Sequence, residues 1–528
     1  MRSRRNRYLL MILAVGAILA TACVACFAAS GFSFSIEQAT FVGRLPQVEP
    51  NYADVVIPPN IAPLNLRVRE DGSRYLLRIL SDGHQIGDIP SRSSKIAIPL
   101  RPWRQWLRAH RGGQLDFEVL ALTESGWRRF DAFHVTVANE GIDSTLVYRR
   151  IHPVDSAWRD MGIYQRDLRT FDESAILTND YFRGGCVNCH TFRNNRPDTM
   201  LLSTRSSDYG NSAVIVHDGE IEKVASTFGY AAWHPNGKIL AYTSMKVAMF
   251  FHPANEEVRD VIDLDSLLAY YDTQSQRLGT APDLAKKDRL ETYPTWSPDG
   301  RYLYFCSAPL TWTHRNAIPE RYDQVQYDLM RIPYDPNQGT WGQAETVLAA
   351  KDTGRSILLP RISPDGRWLL VSMCDYGCFP AYRRSSDLYM IDLEAAQRNG
   401  RYEARRLEVN SDQSESWHSW SSNGRWIAFS SKRGSGLFTR TYLSYVDTNG
   451  IAHKPLILPQ EDPADYRSCL WTYSVPELIV EPVQTTKETL GRVIRGSRKI
   501  SVEMPITMAT PKADAAPQSG TPYQSGRE

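Results

Sequence analysis

Four stretches of the chain repeat one pattern of apolar and polar positions: an apolar strand, a tight polar turn and a second apolar strand. They align without gaps and comprise Tyr230–Ser244, Tyr293–Ser307, Leu359–Met373 and Trp417–Ser431. In the second copy, Pro298 presets φ in the turn and Gly300 accepts positive φ, and the other copies have similar turns. Corresponding positions lie 63, 66 and 58 residues apart. This spacing predicts four-stranded propeller blades that carry insertions.

A different pattern precedes the repeats. Strand-length runs of alternating polarity predict an antiparallel β-sandwich over 61–140; they are Leu64–Val68, Tyr75–Leu80, Lys95–Pro99, Leu115–Leu120 and Phe133–Val137. Within this region, Pro102–His110 places Trp103, Trp106 and Leu107 on one face of a short helix. We expect residues 36–60 to form an extended linker.

The remaining segments complete an all-β dominated prediction. Residues 141–200 predict mixed helix and coil, with a helical stretch around Trp158–Leu168. Residues 201–483 predict the propeller, with five to seven blades. From 484 to 528 the composition rich in Thr, Pro, Ala and Ser predicts a disordered tail.

The turns and the strands that follow them, such as Leu388–Leu393, resemble the TolB-like (PD40/WD40-like) β-propeller family. The resemblance implies that all the polar turns lie on one face of the propeller. The long segments after each second strand then lie on the opposite face, where loops on a rigid scaffold usually carry function. These segments are Met245–Asp260, Ala308–Gln326 and Cys374–Ser386.

The N-terminus predicts export. Arg2, Arg4, Arg5 and Arg7 precede the apolar run Leu9–Ala29, which is long enough to cross a bilayer as a helix. Residues 1–35 are therefore interpreted as an uncleaved signal anchor, a cleaved signal peptide, or a lipoprotein signal modified at Cys23 or Cys26. Each interpretation places the body of the protein outside the cytoplasmic membrane, in the periplasm or secreted, with the membrane contacted through this segment.

The overall charge narrows the choice of partner. The 61 basic and 59 acidic side chains leave a net charge of only +2, which argues against a bulk-charge nucleic-acid binder. A mean hydropathy of −0.39 excludes a protein with many membrane spans.

The strongest chemical signal is Cys186-Val187-Asn188-Cys189-His190, which has the C-x-x-C-H pattern of c-type haem attachment. Cys186 and Cys189 would form thioethers to the vinyl groups, and His190 would be the proximal iron ligand. The alternatives are a Cys186–Cys189 disulfide, a thioredoxin-like redox pair and half of a zinc site. Nearby arginines would pair with haem propionates or form a solvated basic patch; they are Arg183, Arg193 and Arg196.

The sixth iron ligand is open. Met373 is the candidate distal ligand, because the other three repeats have serine at its position. Four other residues on the predicted long-loop face are either alternative iron ligands or packing residues: Met245, Met249, His252 and His314. We expect the haem to lie between the 141–200 segment and this face, covered by Met245–Phe251 and Met373–Phe379.

Four further cysteines lie in the predicted propeller. These cysteines are Cys306, Cys374, Cys378 and Cys469. They could form disulfides, for which three pairings exist, or remain buried free thiols.

These features together resemble a bacterial family that joins a β-sandwich, one C-x-x-C-H motif and TolB-like repeats. The resemblance implies one covalent haem c and, with a redox partner protein, extracytoplasmic electron transfer or redox sensing. A second hypothesis is a haem enzyme, since the alpha subunits of hydrazine synthases similarly couple a propeller to c-type haem. Their expected tyrosine ligand, four residues beyond the motif histidine, corresponds to Asn194 here. A third is a non-redox binding protein of the cell envelope.

Overall fold

The computed structural model describes residues 38–152, 160–252 and 259–503, except for the side chain of Cys189. The predicted leader and residues 504–528 therefore lie outside the described residues. None of the helices within the described ranges has the length and apolarity needed to cross a membrane.

The N-terminal domain contains a seven-stranded and a three-stranded sheet. Its strands are β1 (Thr40–Phe41), β2 (Val48–Glu49), β3 (Val55–Ile57), β4 (Leu66–Val68), β5 (Arg74–Ser81), β6 (His84–Ser91), β7 (Lys95–Ile96), β8 (Gln114–Thr123), β9 (Gly126–Arg129) and β10 (Phe133–Val137). The larger sheet has the order β1-β9-β8-β10-β3, with β5 pairing β8 and β6, and the smaller has the order β2-β4-β7. Strands β1, β2 and β3 all lie inside residues 36–60, so the prediction of an extended linker there is wrong and the domain begins earlier than the alternating runs indicated.

Helix α1 (Leu100–Ala109) covers the interior of this domain, as the sequence predicted. It buries Trp103 and Leu107 completely, while Trp106 packs at the edge of the same core. The Trp103 indole N–H donates to the carbonyl of Ile61 at 3.0 Å, which satisfies the one polar atom of the buried ring.

Six sheets form the propeller. Blade one contains β11 (Thr145–Ile151), β12 (Gly162–Asp167), β13 (Glu173–Thr178) and the last strand of the chain, β35 (Thr472–Ile479); blade two contains β14 (Cys186–Arg193), β15 (Arg196–Arg205), β16 (Ser212–His217) and β17 (Glu220–Val224); blade three contains β18 (Ala231–Trp233), β19 (Ile239–Phe251), β20 (Arg259–Asp272) and β21 (Arg277–Gly279). Blade four contains β22 (Arg289–Trp296), β23 (Tyr302–Pro309), β24 (Asp328–Asp335), β25 (Thr340–Trp341) and β26 (Glu345–Leu348); blade five contains β27 (Ser356–Ile362), β28 (Trp368–Cys374), β29 (Asp387–Asp392) and β30 (Ala404–Arg406); blade six contains β31 (Glu415–Trp420), β32 (Trp426–Ser431), β33 (Arg440–Tyr445) and β34 (Leu456–Ile457).

The two ends of the repeat region close the ring. β35 pairs antiparallel with β11, with Thr145 opposite Ile479, so the C-terminal strand completes the sheet that the N-terminal strands begin. Short helices occur in the connections; they are α2 (Ala350–Thr353), α3 (Leu393–Asn399) and α4 (Asp465–Ser468).

The prediction of mixed helix and coil for 141–200 is wrong. Blade one and the first strands of blade two occupy this segment, and strand β12 replaces the expected helix around Trp158–Leu168 in its described part. The propeller thus begins at Thr145 rather than at residue 201. Its six blades lie within the predicted range.

The start of the predicted tail is also ordered. Helix α5 (Lys487–Arg495) is capped by Thr486, whose Oγ1 accepts from the Thr489 amide at 3.2 Å. Its buried side chains Leu490 and Ile494 pack into an apolar core shared by blades one and two. The prediction of a disordered tail is therefore wrong for residues 484–503, because burial of the apolar face of this helix stabilises it despite the polar composition.

One apolar core joins the N-terminal domain to blades one and six. It contains Phe117 and Val135 from the domain together with Leu146, Trp426 and Leu443 from the blades. The Trp426 indole N–H also donates to the carbonyl of Glu140 at 3.1 Å. The domain is therefore fixed to the ring rather than tethered to it.

Candidate functional site

The C-x-x-C-H motif lies on β14, the innermost strand of blade two. The innermost strands of blades four to six carry an irregularity at the same position, where one extra residue is accommodated. The bulged residues there have positive φ values of 55°, 54° and 47° at Tyr293, Leu359 and Trp417. In blade two the register shifts between Asn188 and His190, so the backbone of Cys189 occupies the equivalent position.

This register brings the motif to the centre of the ring. A cavity of about 310 Å³ opens on the face opposite the Pro-Gly turns and is lined by inner-strand residues of all six blades. Two predicted long segments contribute to its wall through Met249 and Phe379. Strands β19 and β20 extend through most of the predicted loop Met245–Asp260, so this wall is sheet rather than loop.

His190 lines the cavity and is only 4% exposed. Neither ring nitrogen has a hydrogen-bond partner among the described residues. Burial, followed by the positive charges of Arg149 and Arg361, lowers the pKa of His190 to about 3; the nearby Val475 backbone opposes this shift. The imidazole is therefore neutral at physiological pH and keeps a lone pair available for a metal.

His418 provides an internal comparison, because it occupies the equivalent position in blade six. It is 3% exposed, and burial lowers its pKa to about 3 as well. Its Nε2 lies 3.1 Å from the Leu370 carbonyl, and it does not line the cavity. At this repeat position the buried histidine of blade six is hydrogen-bonded to a neighbouring strand, whereas His190 of blade two has no partner of good geometry among the described residues and only the Val475 backbone nearby.

The residues around the motif fit a c-type haem. Cys186 is 5% exposed and lines the same cavity as His190, while the side chain of Cys189 is outside the description. No three His, Cys, Asp or Glu side chains within the described ranges come together to hold a metal ion. A haem iron needs only one ligand from this wall, since the porphyrin supplies four nitrogens.

The mouth of the cavity is apolar. Four of its large hydrophobic side chains are strongly exposed: Val247 (40%), Met249 (36%), Phe251 (53%) and Leu437 (40%). A contiguous apolar rim on a soluble surface marks a binding site, because water alone covers it poorly. The rim fits the hydrophobic edge of a macrocycle.

An aromatic cluster forms part of the deeper wall. Tyr230 lies 4.2 Å from Tyr293 and 5.5 Å from Trp417 between ring centroids, and Phe379 lies 5.5 Å from Trp417. The Tyr293 hydroxyl donates to the Cys378 carbonyl at 2.7 Å, which fixes one ring of the cluster. These side chains provide flat, rigid surfaces for a flat ligand.

The polar lining is strongly basic. Four arginines line the cavity, namely Arg149, Arg205, Arg259 and Arg361, and no Asp or Glu of the described residues does so. Arg149 donates through Nη1 to Oδ1 of Asn188, a residue of the motif. Arg361 pairs with Glu477 at 3.3 Å and also borders a second cavity on the turn face, so this ion pair separates the two.

Several predicted site residues lie elsewhere. Met373 is 2% exposed and packs between blades with Tyr304 and Ile357, outside the cavity wall, so its prediction as distal ligand is wrong. Arg183 is exposed, and Arg196 pairs with Asp198 at 3.0 Å. Arg193 packs over Gly237 on the turn face. The three arginines therefore lie away from His190's cavity.

The other predicted residues divide similarly. His252 lies 3.0 Å from an Asp260 carboxylate oxygen, and His314 is exposed. The four propeller cysteines are thiols without disulfides, including the pair Cys374 and Cys378 in one loop.

Some residues of the cavity were not predicted from the sequence, and others were predicted only as possible iron ligands or packing residues. Met161 lines the cavity and its sulfur accepts from the Val187 amide at 3.3 Å, but nothing in its local sequence indicated this. Met245 and Met249 both line the cavity. They lie four residues apart on β19, so strand alternation puts their side chains on the same face. These three thioethers are the cavity's candidates for a distal contact.

No family model and no curated protein matches this chain. Hydrazine synthase from Kuenenia stuttgartiensis is 12% identical over 75% of this chain and 96% of that chain, with a TM-score of 0.34. Oligogalacturonate lyase from Vibrio parahaemolyticus is 10% identical over 58% and 92%, with a TM-score of 0.30. A puromycin hydrolase is 14% identical over 59% and 45%, with a TM-score of 0.34, so this chain spans less than half of that one. The propeller is assigned from its own sheet order, to which these scores add no argument.

Proposed function

We propose that the protein is an exported c-type cytochrome that holds one covalent haem in the central cavity of its propeller and acts in electron transfer or redox sensing. The observation that carries the proposal is His190 of the C-x-x-C-H motif: a buried, neutral imidazole that lines the central cavity and whose ring nitrogens have no hydrogen-bond partner of good geometry among the described residues. The haem would supply a one-electron redox centre.

The chain's own residues would hold the group in three ways. Cys186 and Cys189 would form the thioether bonds, and His190 would ligate the iron. The apolar rim, represented by Met249 and Phe251, would cover a macrocycle edge and exclude water from it. Met245 or Met249 would provide a thioether on the cavity wall.

The experiment is expression of the full chain with a haem-attachment system, followed by haem staining of a denaturing gel. The wild type should give a haem-stained band, and Cys186→Ala together with Cys189→Ala should give none. Cys469→Ala is the matched control, because this thiol lies outside the cavity, and it should retain the stain. A stained band that persists in the double variant would contradict the proposal.

The absorption spectrum separates the remaining hypotheses. A low-spin reduced spectrum supports electron transfer or sensing, with a thioether or imidazole as second axial ligand. A high-spin spectrum that changes with added ligands supports the second candidate, a haem enzyme. The observation in favour of this candidate is that four arginines, and no Asp or Glu of the described residues, line the cavity, where they could bind an anionic substrate. Absence of haem from a properly exported wild type leaves a non-redox binding protein.

A further inference from the structure

Two arginines stand on either side of the attachment strand without an acidic partner. Arg149 from β11 donates to Asn188, and Arg205 on β15 is the cross-strand partner of Cys186. Neither forms an ion pair with a carboxylate among the described residues, and no described carboxylate lines the cavity. The Nε of Arg149 is buried and has no hydrogen-bond partner.

A haem bound as proposed leaves these two charges uncompensated. In protoporphyrin the vinyl groups and the propionates lie on opposite edges, and the cysteines of β14 would fix the vinyl edge. Asn188 and Cys186 are two residues apart on that strand, a span of about 7 Å. In that proposal Arg149 and Arg205 would lie near the vinyl edge that Cys186 holds, rather than near the propionates. This step rests on the proposed function.

We propose that Arg149 and Arg205 bind a small inorganic oxyanion beside the attachment strand, as a second ligand of the cavity. A guanidinium offers planar paired donors that match an oxyanion, and no carboxylate among the described lining residues competes for them. Apolar walls strengthen the attraction, because a lower dielectric screens it less.

The site would couple anion binding to the charge of the iron. Oxidised haem carries one more positive charge than reduced haem, so the anion should bind the oxidised protein more tightly. By reciprocity, added anion should then lower the midpoint potential. A purely structural role for the two arginines would not produce this dependence.

The test uses nitrate as probe, because it is a poor ligand for iron and reports on the arginines. The full-length holoprotein is titrated with nitrate by calorimetry, and its midpoint potential is measured with and without the ion. Arg149→Gln, Arg205→Gln and the double variant are compared with Arg183→Gln, whose exposed side chain lies outside the cavity. Glutamine removes the positive charge and keeps a neutral amide donor at each position.

We expect saturable nitrate binding that weakens about tenfold or more in each single variant and is lost in the double variant. The potential should fall with nitrate in the wild type and in Arg183→Gln, but not in the double variant. Unchanged affinity in the double variant, or no binding by a haem-loaded wild type, would overturn the inference. Haem content is determined first by pyridine haemochrome, so a lack of haem is recognised as failure of the proposed function instead.

Discussion

Leucine substitutions at His190 and His418 should change stability in opposite directions in the haem-free protein. Both histidines are buried at equivalent positions of their blades, but only His418 has a hydrogen-bond partner. The comparison is made in a background in which Cys186 and Cys189 are alanine, so that no haem is attached.

The magnitudes follow from the partners. An unsatisfied buried polar group costs about 1–3 kcal/mol, so His190→Leu should raise the free energy of unfolding by about this amount. His418→Leu removes the donor to the Leu370 carbonyl and the ring nitrogen beside the Ser372 hydroxyl, which should lower the free energy of unfolding by about 1–3 kcal/mol. The two variants should therefore differ by at least about 2 kcal/mol.

Acid adds a second signature. Burial lowers the pKa of both histidines to about 3, against about 6.5 in the unfolded chain. Between these values the unfolded state binds the extra proton, so each histidine lowers the free energy of unfolding by about 1.4 kcal/mol per pH unit as pH falls. Each leucine variant should lose one such contribution, and neither should differ in slope above pH 6.5 or so.

The assay is urea unfolding followed by tryptophan fluorescence at several pH values. Equal m-values would show that the variants unfold the same amount of surface. Destabilisation of similar size by both substitutions would refute the argument, because it would mean that His190 is satisfied in the haem-free ring.

Three further predictions concern other parts of the chain. Burial raises the pKa of Asp263 to about 7, so the folded state retains a proton that the unfolded state releases from about pH 4 upward. The free energy of unfolding of Asp263→Asn relative to wild type, measured by chemical unfolding, should therefore rise between pH 4 and 7. Ending the chain at Leu470 removes β35 and should give aggregated protein in size-exclusion chromatography, whereas ending it at Glu503 should leave a soluble monomeric ring. A reporter that is active only outside the cytoplasm should be active when fused after Gly450, and cytoplasmic activity instead would contradict export.

The propeller could be predicted from the sequence because its turn chemistry is local. Pro298 and Gly300 determine their turn without help from distant residues. Blade two hides the same hairpin, because Asn194 and Asn195 supply the positive φ values of 50° and 59° in place of glycine. Blade one is complete only when β35 arrives from the other end of the chain, and no local pattern contains that pairing.

The candidate site divides in the same way. Cys186 and His190 form a short motif whose chemistry depends only on spacing, so it could be recognised directly. Met373 stands at the repeat position that Ser244 occupies in blade three, and strand alternation puts side chains at this position between blades. Met245, the residue after Ser244, faces the cavity instead. The identity of an unusual residue does not give the direction of its side chain.

For a chain that is exported and loaded with haem as proposed, the closing strand β35 also sets an order of events. Strand β14 would emerge long before β35, so the blades would form an open crescent while the cysteines are already outside. An attachment enzyme could then reach the concave side of that crescent without passing through the finished mouth. Ring closure would follow haem insertion, and a translocation arrest before residue 472 should accumulate a chain that carries its haem but has no closed ring.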